Sequence, residues 1–188
     1  PGRDPDRPAV MTGSHLDTQP TGGRFDGIYG VLAGLEVVRT LNDLKLETDA
    51  PVEVAVWTNE EGCRFAPSMG GSGVFAGVLE YEHVMVQKDR AGKSFGDELR
   101  RIGYMGDAPI GGAKVAAYFE AHIEQGPILE AEKKVIGVVT GGQGKRSYEV
   151  RLTGREAHAG TTPMPARHDP LKAAARVIAG LEVIAQDQ

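Results

Sequence analysis

Four residues of this chain are suited to metal chemistry: His15 in Gly-Ser-His-Leu-Asp, Asp26 in Gly-Arg-Phe-Asp-Gly, Glu61 in Asn-Glu-Glu-Gly and His122 in Ala-His-Ile-Glu-Gln-Gly. Neutral imidazole and carboxylate are the groups that hold a divalent transition metal such as zinc. Glu60 stands directly beside Glu61 and is an acid with no metal role. The set has the layout of a hydrolase that activates water on metal. Taken singly, each has a duller reading. His15 could be a buried histidine satisfied by a neighbour, Asp26 a turn residue, and Glu60-Glu61 a solvated strand end. Asp17, two residues past His15, is well placed to orient the imidazole. The four together are far more specific than any one.

Such residues need elements that bring them to one place. Ala9–Ser14 reads as a short buried strand ending at His15. Residues 27–44 carry Ile28, Val31, Leu32, Leu35, Val38 and Leu41 at helical spacing. Val52–Thr58 reads as a second strand, ending at Asn59-Glu60-Glu61, and Val115–Ile123 as a third that carries His122. Short helices are expected over Gly70–Ala76 and Ser94–Ile102. Strands alternating with helices predict an α/β fold with a parallel sheet and crossover helices. In such sheets ligands bind beyond the carboxyl ends of the strands, where the candidate ligands fall. Composition changes near Gly141. Residues 1–140 read as a partial catalytic, metal-binding domain. Residues 141–188 read as a glycine-rich hinge (Gly141–Gly144) and the first half of a smaller α+β lid or dimerisation domain, with a strand over Ser147–Leu152 and an amphipathic helix over Asp169–Gln186.

Composition excludes more than it identifies. The chain has 188 residues, 40% hydrophobic and 25% charged, with a net charge of -5. That balance argues against nucleic acid or an anionic membrane as partner. No apolar run approaches the roughly 20 residues that span a bilayer. Pro1–Arg7 is polar and proline-rich, unlike a signal peptide. One cysteine rules out an internal disulfide framework and fits a reducing, cytoplasmic setting. That residue, Cys63, reads as a small buried hydrophobe. His158, in Glu-Ala-His-Ala-Gly-Thr-Thr-Pro, has no charged partner in sequence and alone reads as a surface histidine.

The motifs resemble those of the N-carbamoyl-L-amino-acid amidohydrolases, β-ureidopropionases and allantoate amidohydrolases, within the co-catalytic di-zinc peptidase and deacylase superfamily. The resemblance runs through Gly13–Asp17, Gly22–Gly27, Asn59–Gly62 with Arg64-Phe65, Ala121–Pro127 and Ala157–Met164. Ala-His-Ile-Glu-Gln-Gly-Pro is the most discriminating stretch, because related peptidases usually carry a carboxylate where His122 stands.

The resemblance implies that His15, Asp26 and His122 hold one zinc and that Asp26 bridges to a second zinc held by Glu61. Glu60 would be general base and then general acid, and Gln125 would help position substrate. His158, on the lid, would reach a partner subunit's site and polarise the scissile carbonyl, which implies a homodimer through the lid. Zinc is the first expectation for both ions, although this ligand set also tolerates manganese, cobalt or nickel. A cis peptide after Asp26 is also implied. The family's enzymes are longer, so a fragment is expected, with the second zinc's histidine and the substrate-gripping arginine elsewhere. The expected activity is hydrolysis of N-carbamoyl (ureido) amino acids. The alternatives are an allantoate amidohydrolase, a related di-zinc peptidase, or an inactive truncated metal-binding or dimerisation remnant.

Overall fold

Residues 9–15, Ala-Val-Met-Thr-Gly-Ser-His, form β1 (Ala9–His15), the middle strand of a three-stranded parallel sheet. Its neighbours are β2 (Val52–Trp57) and β3 (Val115–Phe119). The expected parallel α/β architecture is therefore present. The computed structural model describes residues 1–111 and 113–186, in two compact units, Pro1–Gly137 and Val138–Gln188.

In the first unit, α1 (Asp26–Asp43) follows β1 and packs on it. The expected apolar stripe is not what seats this helix. Leu32 and Leu35 stay about half exposed, while Gly27, Gly30 and Gly34 are buried along with Val31. A Cβ on Gly27 would lie 2.3 Å from the His15 ring, and one on Gly30 would lie 2.5 Å from the Ala121 carbonyl oxygen. The helix backbone thus comes closer to the strand ends than any side chain permits. This close approach places Asp26, at the first turn of α1, beside both histidines. The peptide bond after Asp26 is trans, contrary to expectation, since the one cis bond among the described residues is Ala66–Pro67. Asp26 and Gly27 already belong to the helix, whose geometry requires a trans bond.

The third strand ends at Phe119, short of the expected Ile123, so His122 follows the strand instead of lying within it. Its last partner is Thr12, and the ladder stops there. Side chains replace it. The buried Ser14 hydroxyl donates to Glu120 Oε1 at 2.5 Å. Tyr118 Oη lies 2.8 Å from Glu120 Oε2 and 3.1 Å from the Gly13 carbonyl oxygen, and accepts from Trp57 Nε1 at 2.9 Å. Burial pushes the Tyr118 hydroxyl up to about 12. This network holds the three strands in line past the end of the backbone ladder.

The chain after β2 folds onto a second cluster. The helices α2 (Gly70–Phe75), α3 (Tyr81–Met85) and α4 (Phe95–Ile102) enclose Phe65, Val84, Met85 and Phe95. Phe65 and Phe95 meet edge to face with centroids 5.3 Å apart. Ser94 caps α4 by accepting from Asp97 N at 3.1 Å. Sequence periodicity missed α3 and a one-turn α5 (Ile128–Ala131), both too short to show a repeat.

In the second unit a 3₁₀ turn (Met164–Ala166) precedes α6 (Pro170–Gln186), which matches the expected amphipathic helix. The strand expected over Ser147–Leu152 is not formed. Tyr148 and Val150 are exposed, and no strand in this unit, among the described residues, offers it a pairing edge. An unpaired strand leaves its backbone ladder unmade. No helix among the described residues is long and apolar enough to cross a membrane.

Glu98 anchors the Arg64–Phe65 loop. It accepts from Arg101 Nε and Nη2, each at 2.9 Å, and from Arg64 Nη2 at 2.7 Å. The Arg101 bonds first, then Arg64, hold its carboxyl down from 4.5 to about 2. A depressed carboxyl contributes stability above its ordinary value and loses it as pH falls through the folded value. The wild-type urea midpoint is therefore expected to fall between pH 4.5 and about 2 by more than that of Glu98→Gln. Equal falls in the two proteins would reject this role.

Candidate metal centre

The site begins at the carboxyl end of β1. His15 is buried there, 3% exposed. Its Nδ1 lies 2.8 Å from the Asp17 carbonyl oxygen, so we assign the proton to Nδ1 and leave the Nε2 lone pair facing inward. His122 repeats the device, with Nδ1 2.8 Å from the Ile123 carbonyl oxygen and Nε2 3.1 Å from Asp26 Oδ1. One ligand atom from each of His15, Asp26 and His122 lies within 4.8 Å of the others. Both free imidazole nitrogens face negative charge, since His15 Nε2 is also 3.4 Å from Glu60 Oε2. A cation placed between them relieves that arrangement.

Asp17 touches the His15 ring, as expected, and also serves the next loop. Its backbone carbonyl, not its carboxylate, holds the His15 ring. The carboxylate turns to the next loop, where Oδ1 accepts from Glu60 N at 3.2 Å and Oδ2 from Glu61 N at 3.0 Å. Two successive N–H groups match its two oxygens, and the nearer carboxylate oxygen stays 3.6 Å from His15 Nδ1. Asn59 enters this turn with φ 56°, a left-handed conformation that asparagine tolerates, and its Nδ2 donates to the Phe65 carbonyl oxygen at 2.9 Å.

The acid pair then splits. Glu60 faces His15, and burial first of all raises its carboxyl above the ordinary value. The charges of Glu61, Asp17 and Asp26 add to that rise, while His15 opposes it. Glu61 Oε2 accepts from Gln19 Nε2 at 2.5 Å, and Glu61 Oε1 is buried without a partner. Asp26 Oδ2 and Glu61 Oε1 converge on Gly23, where a Cβ would lie 3.2 and 3.6 Å from them. An orphaned carboxylate oxygen beside a second carboxylate suits a cation. Nitrogen and oxygen donors of this mix suit zinc and its first-row neighbours. A possible His/Asp metal group is thus present, and the Glu61 side of the site fits a second ion.

Gln125 touches this centre directly. Its Nε2 donates to Asp26 Oδ2 at 2.6 Å from a backbone with φ 54°. His158 lies in the other unit, where its Nδ1 accepts from Gly160 N at 3.0 Å and Thr161 N at 3.2 Å. The proton then sits on Nε2, which is a donor. Cys63 is exposed, not buried as expected, because its loop runs over the surface. Its thiol donates to Gln19 Oε1 at 3.0 Å. Sequence reading missed Gln19, a polar loop residue with no periodic or motif signal.

This geometry can be set beside known proteins. The family model described as peptidase family M20/M25/M40 matches residues 11–187. An N-carbamoyl-L-amino-acid amidohydrolase of Rhizobium meliloti is 59% identical over 187 residues, covering 100% of this chain and 45% of the relative. One from Geobacillus stearothermophilus is 42% identical over 185 residues, covering 96% and 45%. The crystal structure of an amidase of the hydantoinase/carbamoylase family from Burkholderia multivorans superposes with a TM-score of 0.82 at 53% identity. It is matched over 100% of this chain and 46% of its own. The chain spans less than half the length of the curated relatives it matches. The family match takes in all the clustered histidines and carboxylates, and the fold that gathers them recurs in a solved relative. The chain belongs to peptidase family M20/M25/M40.

Proposed function

We propose that the protein is a metal-dependent amidohydrolase that cleaves the C–N bond of N-carbamoyl amino acids. The observation that carries this reading is the convergence of His15, Asp26 and His122 within 4.8 Å, with Glu60 alongside. The N-carbamoyl-L-amino-acid amidohydrolases at 59% and 42% identity support the substrate class. His15, Asp26 and His122 would hold one divalent cation, and Asp26 with Glu61 would contribute to a second, zinc being the first expectation. When bound, such a pair lowers the pKa of a water and neutralises charge developing on the scissile carbonyl.

The chain's own residues do the rest. Glu60 accepts the water proton and passes it to the leaving nitrogen, a role its raised carboxyl suits. Asp17 keeps the Glu60 and Glu61 amides in register so that the two carboxyls diverge. Gln125 sits against Asp26 within reach of a bound substrate. His158 donates from Nε2 to the carbonyl oxygen and arrives from a second subunit, with residues 141–188 serving as part of the lid and dimer contact. The exposed apolar side chains of α6, among them Leu171, Ile178 and Leu181, support that contact. Water adds to the ureido carbonyl and the bond to the amino acid nitrogen breaks. The products are the free amino acid and carbamic acid, which yields carbon dioxide and ammonia.

The full-length protein with added zinc or manganese is expected to release ammonia from an N-carbamoyl-L-amino acid faster than from N-carbamoyl-β-alanine or allantoate. Preference for allantoate would move the assignment to that acyclic ureide. Activity on a dipeptide alone would move it to a peptidase, and none on any substrate would leave a non-catalytic metal-binding protein.

Glu60→Gln is expected to leave metal content unchanged and to lower kcat by at least about 10²-fold, while Glu61→Gln loses metal. Elemental analysis beside steady-state kinetics checks both, and swapped phenotypes would reverse the assignment. Mixing His158→Ala with Glu60→Gln subunits, each inactive alone, is expected to restore activity in the hybrid dimers. No recovery in dimers shown to be mixed would place His158 in its own subunit or outside the chemistry.

A further inference from the structure

Glu61 presents its two carboxylate oxygens to different surroundings. Oε2 is taken by Gln19, and Oε1 is buried and partnerless on the Gly23 side of the site, where Asp26 Oδ2 also lies. A carboxylate free to rotate would not keep one oxygen in that place. The Gln19 amide prevents the rotation, and its own orientation is set in turn. An amide can offer either its oxygen or its nitrogen, and the two ends differ little in size. The Cys63 thiol donates to Gln19 Oε1 at 3.0 Å, which turns the NH₂ group toward Glu61. Flipped, the amide oxygen would face a carboxylate oxygen and both would repel. Gln19 also brings no charge. A lysine or arginine there would grip Oε2 equally well but would neutralise the acid that has to attract a cation.

We propose that Gln19, oriented by Cys63, is a positioning residue that reserves Glu61 Oε1 for the second cation. This rests on the two-cation reading above. Partners that orient metal ligands typically cost about 10–100-fold in metal affinity when removed.

The test uses the full-length protein stripped of metal and titrated with Mn²⁺ in a calorimeter, with no activity readout. Two equivalents are expected to bind the wild type. Gln19→Leu should weaken the second by about 10–100-fold and leave the first unchanged. Cys63→Ala should weaken the second equivalent less than Gln19→Leu does, and Cys63→Ser, which keeps a donor, should restore it. Two wild-type equivalents with the second unaltered in Gln19→Leu would overturn the inference and spare the two-cation reading. Parallel weakening of both equivalents would also overturn it, because that marks a general structural loss. A wild type that takes up one ion only would overturn both.

Discussion

Four carboxylates, those of Asp17, Asp26, Glu60 and Glu61, share one end of a small sheet, and their mutual repulsion is the constraint on which the site depends. Asp26 is 5% exposed, so its charge is poorly screened, while the Asp17 and Glu60 side chains are 34% and 27% exposed. The chain disposes of each in a different way. Asp17 is satisfied by two backbone amides, and Asp26 Oδ2 by an amide side chain, while Asp26 Oδ1 faces the His122 Nε2 lone pair. Glu60 yields by becoming easier to protonate, mainly because it is buried. Glu61 is half satisfied, and its remaining oxygen is buried with no hydrogen-bond partner.

The fold answers this constraint with close packing more than with apolar burial. The glycines of α1 let its first turn press against β1, so Asp26 meets one histidine from the end of β1 and one from the segment after β3. Backbone carbonyls then choose the ring tautomers. Past the end of the β1–β3 ladder, Ser14, Tyr118, Glu120 and Trp57 continue the alignment through side chains. The distance between His15 and His122 is therefore set by polar contacts next to them, none of which contributes a metal ligand.

Much of this was legible in the sequence, and for a physical reason. Strands of a buried parallel sheet are apolar runs, and a polar motif directly after such a run marks the ligand-binding edge. That is why His15 and the Glu60–Glu61 pair could be placed. The sequence was silent where side chains replace backbone pairing, so β3 was drawn too long. It placed α1, but not the glycines that, with Val31, make its contact while Leu32 and Leu35 stay half exposed. Asp17 was found as a partner of His15, yet its carboxylate serves the next loop, a choice made by three-dimensional proximity alone. Gln19 and Cys63 carry no periodic pattern and became visible only through their hydrogen bonds.

The three nearest ligand positions come from β1, the first turn of α1 and the segment after β3, far apart along the chain. No short peptide within it can reproduce them. A cation that binds there recognises the assembled sheet and has little affinity for the unfolded chain, so by mass action it favours the folded state. Metal supply and conformational stability are thereby linked. On the metal-dependent reading, a cell short of the cation would hold a protein more readily unfolded and degraded.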